Sequence, residues 1–162
     1  MGHSSAAGHG RSNGFVLGKS KPGPDPPRES FQIFSPEYKH GTETILFVED
    51  LEPLRTVIAD SLAQLGYHVL PAASGDEALA LSAGYGGEIH LLLTDIIMPQ
   101  MKGPELVRKI LEARPQLKVI YLSGFADGVL APHGVLEEGI VLVHKPFTIK
   151  ILSARIREVL EQ

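Results

Sequence analysis

The chain has 162 residues, with 15 Lys and Arg against 19 Asp and Glu, a formal net charge of -4 and no cysteine. That balance offers no basic face to nucleic acid, and the lack of thiols excludes a disulfide framework or a thiolate metal site. A composition of 43% hydrophobic and 21% charged residues is that of a soluble folded chain, long enough for one domain and a tail. No apolar run approaches the roughly 20 residues that cross a bilayer, and the N-terminus lacks the basic-then-apolar order of an export signal. Membrane insertion is therefore not expected, and the expected location is cytoplasmic.

Residues 1–43 are rich in Gly, Ser, Pro and His and include the cluster KPGPDPPRES. They show no sustained period and read as a flexible tail or linker, although FQIFSP within them has the composition of a short strand. Residues 44–162 read as the folded domain. Its first run, TILFVE from Thr44 to Glu49, is almost continuously apolar, as in a parallel strand covered on both faces. Pro53 followed by Leu54, Val57, Ile58, Leu62 and Leu65 at helical spacing, closed by Gly66, predicts a helix. HVLPAA is a second strand, and Ser74 with Glu77 has the spacing of a capping box that opens a second helix. IHLLLT is a third strand, before a helix whose apolar face is Leu106, Val107, Ile110 and Leu111. LKVIYLS and IVLVH are the fourth and fifth strands, and ILSARIREVL is the last helix. Between Phe125 and Glu138, residues Gly128, Pro132 and Gly134 leave any helix short and easily frayed. Five strands with intervening helices in about 120 residues specify a doubly wound α/β fold with helices on both faces of the sheet.

Open α/β sheets bind ligands beyond the carboxyl ends of their strands. The first strand ends in Glu49 and Asp50, the third in Asp95, the fourth in Ser123 and the fifth in Lys145. Any one polar strand end is ordinary, because strand ends are wet. Three carboxylates, a hydroxyl and an ammonium together make a phosphoryl site. GFVLGKS, by contrast, lacks a phosphate-binding loop's first glycine, since Asn13 stands there. The seven histidines show no ligand spacing.

From Glu43 to Gln162 the chain resembles the receiver domain family of response regulators and hybrid histidine kinases. The resemblance rests on Glu49 and Asp50 in VEDLEPLR, on Asp95 in LLLTDIIMPQMKG with Pro99 and Gly103, on Ser123 in YLSG and on Lys145 in KPF. It implies a flavodoxin-like sheet of strand order 2-1-3-4-5 and a Mg²⁺ ion held by Asp50, Asp95 and the backbone carbonyl of Ile97, with Glu49 acting through water. It also implies that Asp95 accepts a phosphoryl group from the phosphohistidine of a histidine kinase or histidine phosphotransfer domain, while Lys145 offsets charge and Ser123 moves in afterwards. A cis Lys145–Pro146 bond is implied as well. The family's aromatic switch, three positions before the lysine, is replaced here by Leu142. Ile97 and Phe125 stand where polar residues of some relatives orient a hydrolytic water, so dephosphorylation is expected to be slow.

HGVLEEGIVLVHKPFT and the lack of an effector after the last helix resemble the C-terminal receiver of a hybrid histidine kinase. Such a chain is expected to be a monomer or weak dimer and not a stand-alone enzyme, with its output in another protein or elsewhere in a parent chain. Two other functions compete. A pseudo-receiver would bind a partner without phosphorylation, a reading that Leu142 and the weak fourth helix keep open. A Mg²⁺-dependent phosphohydrolase of the haloacid dehalogenase type needs a second Asp two residues after the first, where Ile97 stands.

Overall fold

A computed structural model describes residues 37–124 and 141–162. Phe125 and the expected fourth helix lie outside the described residues. The strands are β1 (Thr44–Val48), β2 (His68–Ala72), β3 (Leu91–Asp95), β4 (Lys118–Ser123) and β5 (Val141–His144). The described helices are α1 (Glu52–Gln64), α2 (Gly75–Gly84), α3 (Gly103–Ala113) and α4 (Ile149–Leu160). The strands form one five-stranded sheet of order β2-β1-β3-β4-β5, every pair parallel. The doubly wound architecture and its strand order are thus as expected.

Side chains alternate across the sheet, and both faces are covered, which is why the strands read as continuous apolar runs. Ile45, Phe47, Leu91, Leu93, Ile120 and Leu122 pack with Ile58 and Leu62 of α1 and Leu152 and Ile156 of α4. Their strand neighbours Leu46, Val48, Leu92, Val119 and Tyr121 point the other way, onto Ala78 of α2 and Leu106 and Ile110 of α3. The residues before β1 also dock on the α4 side. Tyr38 packs against that cluster, Glu37 pairs with Lys150 at 2.8 Å, and the Gly41 N–H donates to the Leu65 carbonyl.

The helix starts differ in a way that matters for the rim. Ser74 caps α2 by accepting from the Glu77 N–H at 3.1 Å, and the Glu77 carboxylate in turn accepts from the Ala73 N–H at 2.8 Å. Thr148 caps α4 through the Ile151 N–H. Helices α1 and α3 have no side-chain cap and carry Pro in the first turn. Their entry loops are held by other contacts.

One such contact is Gly103, whose N–H donates to the Ile96 carbonyl at 2.7 Å. A Cβ there would collide with the Asp95 carbonyl oxygen and lie 3.0 Å from Ile96 Cα. Both obstacles are backbone at the end of β3, so neither can rotate away. Gly103→Ala is therefore expected to destabilise the fold by about 2 kcal/mol, as overpacking does. A lower urea midpoint with an unchanged slope would report it, and an unshifted midpoint would show that the loop can yield.

Candidate functional site

Sheet register places the rim residues. Val48 of β1 lies beside Thr94 of β3, so the next residue of each strand, Glu49 and Asp95, are neighbours at the carboxyl edge. Ser123 lies beside His144, and Lys145 follows with its N–H donating to the Ser123 carbonyl at 2.7 Å. The lysine side chain then reaches from beyond β5, past β4, to the acids. Its Nζ stands 2.7 Å from Asp95 Oδ1 and 3.0 Å from Glu49 Oε2. Carboxylate oxygens of Glu49, Asp50 and Asp95 all lie within 4.8 Å of one another.

Two of the three acids are deeply buried, Asp95 at 4% and Glu49 at 2% exposure, whereas Asp50 is exposed. Burial, reinforced by the hydrogen bond with Glu49, pushes the Asp95 carboxyl up to about 8, against the pull of Lys145. Burial also works to raise Glu49, but hydrogen bonds from Asp95 and Lys145 outweigh it and hold Glu49 below the usual carboxylate range. The two buried acids are thus shifted apart, Asp95 upward and Glu49 downward. For Lys145, burial acts downward and is overcome by its close contacts with the Asp95 and Glu49 carboxylates, so the ammonium stays charged. Asp95 Oδ1 is buried without a well-directed hydrogen bond. The lysine at 2.7 Å is thus an ion contact off the angle of a hydrogen bond.

Asp95 lies beside Leu122 of β4, so Ser123 follows at the same carboxyl edge. Ser123 is buried, with its hydroxyl donating to the Gly124 carbonyl at 3.4 Å. Ile97 lies in the loop after β3 with its side chain 50% exposed at the rim. Leu142 is half-buried and sits beside Tyr121 of β4, so an aromatic occupies the neighbouring strand. The Lys145–Pro146 bond is cis. A residue not anticipated from the motifs is Arg55, whose Nη1 donates to the Glu49 carbonyl at 2.8 Å and reaches the Asp50 carbonyl at 3.4 Å. Its signal in the sequence is only a basic residue one turn into α1.

The donor set suits a small hard cation, because three oxygen acids converge and one buried oxygen lacks a directed partner. A family model described as response regulator receiver domain matches residues 45–157. The chain belongs to that family. Among similar proteins, the sensor kinase CckA of Brucella abortus is 36% identical over 122 residues, which is 75% of this chain but 13% of that protein. The response regulator receiver protein CpdR of the same organism is 35% identical over 116 residues, covering 72% of this chain and 95% of its own. The crystal structure of the receiver domain from the hybrid histidine kinase CckA matches with a TM-score of 0.62 and 36% identity, over 72% of this chain and 98% of that one.

The receiver domain thus has the length of CpdR and spans a small part of CckA. Receiver domains are regulatory elements of two-component signalling, not stand-alone enzymes; they bind Mg²⁺ in an acidic pocket and interact with histidine kinases or phosphotransfer partners. No helix among the described residues is long and apolar enough to cross a membrane.

Proposed function

We propose that this receiver domain accepts a phosphoryl group on Asp95 from the phosphohistidine of a histidine kinase or histidine phosphotransfer domain. The observation that carries the reading is the buried Asp95 carboxylate, one oxygen of it without a directed hydrogen bond, within 2.7 Å of Lys145 and grouped with Glu49 and Asp50. The likeness to a sensor kinase over 13% of its length supports a place as the receiver of a hybrid kinase.

In the transfer, a carboxylate oxygen of deprotonated Asp95 forms a bond to phosphorus while the bond from phosphorus to the donor's imidazole nitrogen breaks. The donor imidazole takes a proton from water, and Asp95 is left as an acyl phosphate. Lys145 remains an ammonium throughout and offsets charge on the phosphoryl oxygens. Glu49 holds the lysine in place from below. Asp50, Asp95 and the Ile97 carbonyl would hold Mg²⁺, with Glu49 acting through water; the ion, when bound, neutralises carboxylate and phosphoryl charge. Ser123, two residues along β4 from Tyr121 and on the same face, supplies a hydroxyl to the new phosphoryl group.

Binding of beryllofluoride with Mg²⁺, followed by amide NMR, tests the reading. Shifts at Asp50, Asp95, Ser123 and Lys145 that require both reagents support it. A silent response favours the pseudo-receiver, the reading to which Leu142 in place of an aromatic lends weight.

Ile97 bears on how long the acyl phosphate survives. Its half-exposed aliphatic side chain at the rim can neither donate to nor accept from an attacking water, so the acyl phosphate is expected to outlast minutes without a partner. Ile97→Asn is expected to shorten its half-life about tenfold by giving that water a hydrogen-bonding partner. Decay within seconds in the wild type, or an unchanged half-life in the variant, would refute this.

A further inference from the structure

We propose that Arg55 is the positioning residue for the acidic pair, fixing Asp50 for the cation from a place one turn into α1; the inference rests on the Mg²⁺-dependent phosphoacceptor reading. After Val48 the chain must leave the strand, present two carboxylates and enter α1 within a few residues. The usual device for such an entry, a side-chain cap, is missing at Leu51. Glu49 supplies part of the substitute. Its Oε1 accepts from the Leu51 N–H at 3.2 Å, and its Oε2 faces Lys145. Both oxygens of Glu49 are thereby held.

Asp50 has no such hold. Its carboxylate takes no hydrogen bond among the described residues, although it is one of the three acids of the cluster. The direction in which it leaves the loop is therefore set by its backbone. Arg55 is what grips that backbone. A single nitrogen, Nη1, bonds the Glu49 carbonyl at 2.8 Å and the Asp50 carbonyl at 3.4 Å, and so orients the peptide planes on either side of Asp50. The Arg55 N–H also donates to the Leu51 carbonyl at 2.9 Å, which fastens the clamp to the first turn of α1. A guanidinium never loses its proton in the accessible pH range, so the clamp holds at any pH at which the protein is folded.

Because both contacts use one nitrogen, a lysine ammonium can replace them in part, whereas an uncharged chain of similar length cannot. The full chain, its Arg55→Met variant and its Arg55→Lys variant would be titrated with Mg²⁺, each amide of residues 49–51 being followed by NMR. Arg55→Met is expected to bind Mg²⁺ about tenfold more weakly, the usual effect of losing a residue that orients a ligand, and Arg55→Lys to recover most of that loss. Equal affinity in wild type and Arg55→Met overturns the inference alone, as does an Arg55→Lys variant no better than Arg55→Met. A wild type that binds no Mg²⁺ overturns the phosphoacceptor reading and this inference with it. The wild type also offers a readout that needs no folded variant. The Arg55 Nε–Hε resonance is expected to shift with the same dissociation constant as the Asp50 amide, and a resonance unmoved at saturation overturns the clamp.

Discussion

Asp95→Asn is expected to lower the rate of phosphoryl uptake by at least about a thousandfold, because an amide has no carboxylate oxygen to attack phosphorus. The substitution keeps side-chain size and shape, and it leaves the Lys145–Glu49 pair at 3.0 Å in place. Loss of labelling in a folded variant would then report chemistry, not collapse. Phosphoramidate serves as a donor that needs no protein partner, and a phosphorylated histidine kinase serves as one that does. Both should fail with the variant. Labelling of Asp95→Asn within about tenfold of wild type would move the acceptor elsewhere, with Asp50 the first candidate because it is the exposed member of the cluster. Mapping the base-labile phosphate would decide between them.

The second large effect concerns stability against pH in metal-free protein. Asp95 ionises near pH 8 in the folded chain against an ordinary value of 3.8, so between those limits the native state holds a proton that the unfolded state has released. Stability is then complete at the acid end of that window and is lost as pH rises through the folded value. Glu49, moved the other way, contributes stability that is present above its ordinary 4.5 and lost only below it. Lys145 is raised from 10.5 and titrates above the window. From pH 5.5 to 8.5, Asp95 therefore dominates among the shifted groups. Each pKa unit corresponds to about 1.4 kcal/mol, so the loss between pH 5.5 and the folded value of about 8 is expected to be about 3 kcal/mol. Urea unfolding in chelator at the two ends of that range would measure it. Asp95→Asn should flatten the dependence, and saturating Mg²⁺ should do the same by giving the ionised acid a cation. A wild-type stability that is level or rises across the range would show that Lys145 alone satisfies an ionised Asp95.

Both effects depend on burial, and burial is where the sequence stops speaking. The runs TILFV and LLLTD announce doubly covered parallel strands, because a strand with helices on both faces has no polar side and its composition says so locally. The capping pair Ser74 and Glu77 is legible for the same reason, since its bonds span three residues. Even the candidate site could be collected from sequence, because the carboxyl ends of parallel strands share one edge whatever the order of the strands. Thus Glu49, Asp50, Asp95, Ser123 and Lys145 can all be collected as candidates from the sequence.

What tertiary structure alone decided is how those groups differ. Glu49 and Asp50 are adjacent in the chain, yet one is buried and the other exposed, because β1 ends between β2 and β3 and only its next residue remains inside the edge. Lys145 meets Glu49 across a separation of 96 residues, a contact created by the strand order β1-β3-β4-β5 and by a side chain long enough to pass β4. The upward shift of Asp95 comes from burial and from Glu49 on the neighbouring strand, against the pull of Lys145, and none of these is local in sequence. Arg55 belongs with these. Its hold on the Glu49 and Asp50 carbonyls needs the exact turn between β1 and α1, which residue types alone do not encode. Local pattern determines secondary structure and face, because its physics acts over a few residues. Charge state and reach act through space, and only the assembled sheet supplies the distances.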